Sequence, residues 1–178
     1  VRAWRKTRRE TPGSSPSATP AAGKAVVLRG SGTGVTGTLF ITITGSVDSM
    51  ATGAVVALAG DMNGDGYADI LVGSPGTNVG GPRRGSLVVY PGTSGGVSGV
   101  AYLTLLGTAD QEHFGSSLAS AGDVDGDGYA DLAFGRVRYP STAGATGQLL
   151  LYAGGRTAAA VLASFNGATL GARFGAAV

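Results

Sequence analysis

The stretch Asp61-Met62-Asn63-Gly64-Asp65-Gly66-Tyr67-Ala68-Asp69 restricts this chain more than any other, because it crowds three carboxylates and an amide into one short turn. It recurs 62 residues later as Asp123-Val124-Asp125-Gly126-Asp127-Gly128-Tyr129-Ala130-Asp131. Oxygen-bearing side chains stand at positions 1, 3, 5 and 9, and glycines at 4 and 6. Short carboxylates at alternate positions of a tight turn converge on one point, and glycine permits the positive φ such a turn needs. Of 11 acidic residues in the chain, seven lie in these loops. Like charges packed so densely repel one another unless a cation offsets them. A solvated, Asx-rich turn is the plainer reading, but it leaves that repulsion uncompensated.

A hard cation such as calcium takes about six to eight oxygen ligands at about 2.3–2.6 Å. The expected ligands are Asp61, Asn63, Asp65 and Asp69 in the first loop, and Asp123, Asp125, Asp127 and Asp131 in the second. Tyr67 and Tyr129, at position 7, add a backbone carbonyl. About two Ca²⁺ per chain are expected. An all-oxygen set disfavours zinc, and magnesium prefers strict octahedral sites and keeps its waters. The loops are not EF-hands, which need a glutamate at position 12; Val72 and Phe134 stand there. The flanks Asp69-Ile70-Leu71-Val72-Gly73 and Asp131-Leu132-Ala133-Phe134-Gly135 read as short buried strands, so each loop joins two strands.

The period extends beyond the loops. Gly23-Lys24-Ala25-Val26-Val27-Leu28-Arg29-Gly30 returns at residues 85–92 and again at 147–154. Thr38–Gly45, with Thr alternating with apolar residues, reads as a half-exposed strand; it corresponds to Val100–Gly107 and to Ala160–Gly167. Phe114-Gly115 and Phe174-Gly175 open a further short strand, where the first copy has Thr52-Gly53. Each repeat thus reads as four strands. A chain with 33 glycines among 178 residues, against the usual roughly 7%, has the many tight turns of an all-β protein. A fixed period of this size with four strands per unit predicts β-propeller blades. About 2.5 blades fit into residues 23–178. The final repeat stops at Val178 before a third loop, so a fragment of a longer propeller is expected, or a ring completed between chains. In the latter case the isolated chain self-associates through its open edges.

Residues 1–22 read as a basic tail followed by a Pro/Ser/Thr-rich linker. Residues 1–10 hold five of the 13 basic side chains and one of the 11 acidic ones, leaving eight against ten elsewhere. The basic tail is read as a solvated chain end, with no nucleic-acid partner. No apolar run approaches the roughly 18 residues of a membrane span. There is no cysteine, which excludes disulfides and thiol catalysis. The natural start is expected upstream, because the chain lacks an initiator methionine and a signal peptide's apolar core.

These features resemble the FG-GAP repeat of integrin α-subunit propellers and related bacterial extracellular proteins. Phe114-Gly115 and Phe174-Gly175 look like the FG element, and Gly73-Ser74-Pro75 like the GAP element. The resemblance implies a seven-bladed propeller, calcium on the residues named above, and an extracellular or cell-surface place. It also implies a role in recognition or adhesion, with a protein or glycan ligand. An alternative is the non-catalytic propeller part of a secreted, phospholipase-like hydrolase. The second GAP position departs from the pattern as Gly135-Arg136-Val137.

No catalytic constellation is visible. There is one histidine, His113, beside Asp110 and Glu112; it reads as exposed polar surface. The loops at Thr77–Arg84 and Arg136–Thr142 are basic, so an acidic partner is one expectation and plain solvated turns the other.

Overall fold

The computed structural model describes residues 22–32, 34–46, 50–139, 145–155 and 160–178. The tail and linker therefore fall outside the described residues, except for residue 22. So does the end of the second basic loop, from Pro140.

Every described element is a strand. A hairpin comes first, β1 (Lys24–Ser31) against β2 (Gly34–Thr44). A four-stranded antiparallel sheet follows, from β3 (Val55–Gly60), β4 (Asp69–Ser74), β5 (Ser86–Tyr90) and, after a miniature hairpin of β6 (Gly92–Thr93) and β7 (Gly96–Val97), β8 (Leu103–Leu106). A second four-stranded sheet repeats the order with β9 (Ser117–Gly122), β10 (Asp131–Arg136), β11 (Gln148–Tyr152) and β12 (Val161–Asn166). These are the predicted blades, each strand pairing with its sequence neighbour; β1 and β2 match β5 and β8. We call the two full sheets the middle and the last blade.

Two expected strands change length. Residues 100–102 do not extend β8, because the chain is still returning from the miniature hairpin, with the Ser98 amide donating to the Pro91 carbonyl at 2.8 Å. In the first copy β2 instead begins at Gly34, since β1 turns straight back into it. Its half-exposed character holds at its end, where Ile43 is buried between exposed Thr42 and Thr44.

Apolar patterning explains the stacking. All six residues of β4 are buried, as befits a strand covered on both faces. Ile70 and Val72 pack against Ala25, Val27 and Ile43 of the hairpin. Leu71, one residue out of phase, faces the other way into a larger core with Leu87, Val89, Leu118, Leu132, Phe134 and Leu150. Alternation at period two thus sends one strand's side chains into two interfaces. Phe134 is fully buried, with Phe114 and Tyr152 at ring-centroid distances of 4.7 and 5.4 Å.

The innermost strands β3 and β9 lie side by side, and Ser120 Oγ donates to the Ala59 carbonyl at 2.7 Å. The small residues of β9, Ser117, Ala119, Ser120 and Ala121, permit this crowding. Isolated parallel bridges link Gly23 to Thr52, Gly85 to Phe114 and Gly147 to Phe174. They tie each repeat's third strand to the opening of the next repeat. All three glycines have φ near +80° (78, 83 and 82), and a Cβ on any of them would strike the bridged backbone. Thr52 occupies the phenylalanine position, and the Ser74 hydroxyl donates to it at 3.3 Å. Arg136, at the departure from the second GAP pattern, forms a buried ion pair with Glu112. It also donates to Gln148 Oε1 at 3.0 Å and Thr108 Oγ1 at 2.8 Å, so the arginine ties the two blades together.

The outer face of the last blade is open. Phe174 is 40% exposed, whereas its counterpart Phe114, covered by the last blade, is 5% exposed. Val161, Leu162 and Phe165 are exposed on the same blade.

Gly73 tests the blade contact. Its φ is ordinary, but a Cβ there would fall on the Gly115 carbonyl oxygen. Gly73→Ala is expected to destabilise the chain by about 1–3 kcal/mol, as overpacking does. Urea denaturation reads this as a lower midpoint; an unchanged midpoint would show that the blades are not in fixed contact.

Candidate metal centres

Both acidic loops connect the first and second strands of a blade, at the same edge of the molecule. Their glycines adopt the left-handed conformation the sequence predicts: Gly64 and Gly66 at φ 73 and 87, Gly126 and Gly128 at 79 and 90. The loops share one hydrogen-bond pattern. Asp61 Oδ1 accepts from the amides of Gly64 and Asp65 (2.7 and 3.1 Å), and Oδ2 from Gly66 (2.8 Å). Asp123 does the same with Gly126, Asp127 and Gly128 (2.7, 3.0 and 3.0 Å). The ninth residue closes each loop. Asp69 accepts from Met62 at 3.0 Å and Gly92 at 2.9 Å; Asp131 accepts from Val124 at 2.7 Å and Gly154 at 2.9 Å. Gly92 and Gly154 are contributors that the loop motif alone does not reveal; they stand at the same offset of 62 residues.

In the second loop Asp123, Asp125 and Asp131 each bring a carboxylate oxygen within 4.8 Å of the others. Two ligands of one calcium ion lie at most about 5 Å apart, twice the metal–oxygen distance, so this trio fits. Asp127 stands outside it, with Oδ1 accepting from the Tyr129 amide at 2.9 Å. The first loop has Asn63 where the second has Asp125. There Asn63 Nδ2 donates to Asp65 Oδ2 at 2.9 Å, and the Tyr67 amide donates to Asp65 Oδ1 at 2.9 Å. A carboxylate offers about four lone-pair sites, so these bonds leave acceptor capacity for a cation. Asp69 is buried, and burial is the main cause that pushes its pKa up. The Gly92 and Met62 amides oppose this, while the Asp65 and Asp61 charges add to it. A divalent cation would relieve both the burial cost and the repulsion.

The loops differ in cover. Met62 is fully buried, whereas Val124, at the same position, is 53% exposed. The last blade makes the difference. Its Gly155 amide donates to the Met62 carbonyl at 2.8 Å, and the Ala130 amide to the Asp61 carbonyl at 2.9 Å. The Tyr129 ring covers Gly64, leaving no room for a side chain there. The second loop therefore braces the first.

Tyr129→Ala is accordingly expected to weaken divalent-cation binding at the first loop, although Tyr129 lies in the second. A loss of about tenfold is expected, the low end of what supporting residues contribute around metals. Calorimetry on an Asp125→Ala background isolates the first loop; equal affinity with and without Tyr129 would mean that the loops act independently.

Comparison with known proteins agrees with this geometry. Residues 52–90 and 114–152 match the FG-GAP repeat, each running from the Phe-Gly position through an acidic loop to the third strand. The chain is 35% identical over 117 residues to integrin alpha pat-2 of Caenorhabditis elegans, covering 64% of this chain and 9% of that protein. It is 31% identical over 116 residues to integrin alpha-5 of Xenopus laevis, covering 62% and 11%. With integrin alpha-6 of Gallus gallus it shares 38% identity over 76 residues, covering 42% and 7%. The matched segment is thus about a tenth or less of each relative's length. On the matched residues and the two blades they form, this chain belongs to the FG-GAP repeat family.

Proposed function

We propose that this chain is a calcium-stabilised propeller module that serves extracellular recognition or adhesion, with a protein or glycan as its ligand. The observation that carries the calcium reading is the convergence of Asp123, Asp125 and Asp131 within 4.8 Å in a loop whose pattern the chain uses twice. The extracellular and adhesive part rests on the likeness to integrin alpha subunits. Bound calcium would neutralise each loop and fix the turn between the first two strands of its blade. Asp61, Asn63, Asp65, Asp69 and the Tyr67 carbonyl would hold one ion. The other would sit among Asp123, Asp125, Asp127, Asp131 and the Tyr129 carbonyl. Among the described residues no helix is long and apolar enough to cross a membrane.

A ligand that binds only the folded chain adds RT ln(1 + [L]/Kd), about 2.7 kcal/mol per site at a hundredfold excess over Kd. Calcium is therefore expected to raise the melting temperature and EDTA to lower it. Asp65→Ala and Asp125→Ala should each remove one of about two calorimetric sites. A melt indifferent to EDTA would show that the loops are polar turns.

The same proposal assigns the open face of the last blade to a further blade of this protein, in the same or another chain. Phe174 and Phe165 would then be buried as Phe114 is. Light scattering in calcium is expected to report self-association of the isolated chain, and a compact monomer at high concentration would refute it.

A further inference from the structure

The turn before each FG position occurs three times, as Ala51-Thr52-Gly53-Ala54, His113-Phe114-Gly115-Ser116 and Arg173-Phe174-Gly175-Ala176. Its first residue has positive φ in every copy, 53, 57 and 51, so the strained backbone belongs to the repeat and not to histidine. Only the second copy places polar groups at both the first and the fourth positions and then buries them. Among the described residues, His113 Nε2 and Ser116 Oγ are shut off from solvent and have no hydrogen-bond partner. A buried polar group left unpaired costs about 1–3 kcal/mol, and the alanines of the first copy avoid that cost. His113 is thus half-buried with a hidden ring nitrogen, not the exposed surface residue its sequence context implies.

The surroundings depart from the repeat in the same direction. Arg83 stands where the next copy has Ala145, and Arg138 where the preceding copy has Gly76. The Arg83 carbonyl accepts from the His113 amide at 3.1 Å. Arg138 follows β10, whose Gly135 pairs with Ser117, next to Ser116. Both arginine side chains are exposed, and neither has an acidic partner among the described residues. The nearby acids are engaged. Asp110 accepts from Arg84 Nε at 2.7 Å. Glu112 takes Arg136 and the amides of Thr108 and Ala109. Burial, and after it the charges of Arg138 and Arg83, hold the His113 pKa below its ordinary value.

We propose that Arg83, His113, Ser116 and Arg138 form an oxyanion-binding site at the junction of the middle and last blades, taking a carboxylate, sulfate or phosphate group of an acidic ligand. The site lies at the opposite strand ends from the acidic loops: Arg138 comes after Arg136, five residues along β10 from Asp131, or about 17 Å at the usual rise per residue. It is therefore separate from the metal centres and independent of whether they take calcium. An anion beside the two guanidinium groups reverses the local field and favours the imidazolium; rotation of the half-buried ring then turns its Nε2–H toward the anion and frees the Ser116 hydroxyl to donate as well. Binding strengthens as pH falls through the His113 pKa, because the imidazolium is the form that binds.

The chain has a single histidine, so its imidazole NMR signals identify themselves in the full chain. Sodium sulfate, phosphate or acetate is titrated against chloride at constant ionic strength. The expected result is a saturable shift of the imidazole signals, with the His113 pKa rising by about one unit at saturation, equivalent to about tenfold tighter binding to the imidazolium. Whichever anion saturates at the lowest concentration identifies the group. Arg83→Ala and Arg138→Ala should each weaken binding about tenfold, while Arg173→Ala, at the same turn of the next copy, should not. His113→Ala and Ser116→Ala should not lower the melting temperature, since each removes an unpaired buried group. Identical, unsaturated shifts in chloride and the oxyanions, or full binding by both Arg83→Ala and Arg138→Ala, would overturn the site.

Discussion

Burial of one blade's face against the next is the interaction on which everything else in this molecule depends. A four-stranded sheet of about five-residue strands has two apolar faces and no thickness of its own, so neither blade has a core until another sheet covers it. Strand β4 shows the consequence most directly: Ile70 and Val72 complete one interface while Leu71 completes another. Gly73 lets its backbone approach Gly115 closely enough for the middle and last blades to interlock, and Gly135 meets Gly175 in the same way one repeat later. The Arg136–Glu112 pair adds a polar tie at the rim of the same interface, where the loss of one partner would strand a buried charge.

Stacking also governs the acidic loops. Their internal hydrogen bonds are nearly identical, so each nine-residue segment folds into the same turn by local chemistry. Their environments diverge because, among the described residues, only the first has a following blade beside it. Met62 and Gly64 are enclosed by Gly155 and Tyr129, whereas Val124 and Gly126 face open space. A supporting layer tunes a metal as much as its direct ligands do, and here that layer comes from the following repeat.

The opposite edge of the blades uses the repeat differently. There the backbone keeps its period, down to the positive φ at Ala51, His113 and Arg173, while the side chains break it. A break in side-chain pattern on a constant backbone isolates what the fold does not require. Reading the copies against one another thus sorts structural demand from local chemistry without any second protein.

The sequence by itself determined the all-β class, the four-strand unit and the turns of the two acidic loops. Each of these rests on short-range rules: period two in β4, glycine at positions that need positive φ, and carboxylates at alternate positions of a tight turn. The 62-residue offset located Gly92 and Gly154 only in retrospect, because their amides reach Asp69 and Asp131 across the sheet. Tertiary structure alone decided that Tyr129 covers Gly64, that Arg136 meets Glu112, and that the His113 ring nitrogen is hidden rather than exposed. Those outcomes depend on which blade lies beside which, at sequence separations of 65, 24 and 25 residues for Tyr129–Gly64, Arg136–Glu112 and Arg138–His113. No local pattern encodes them, because they arise from the shape of the interface after the sheets have packed.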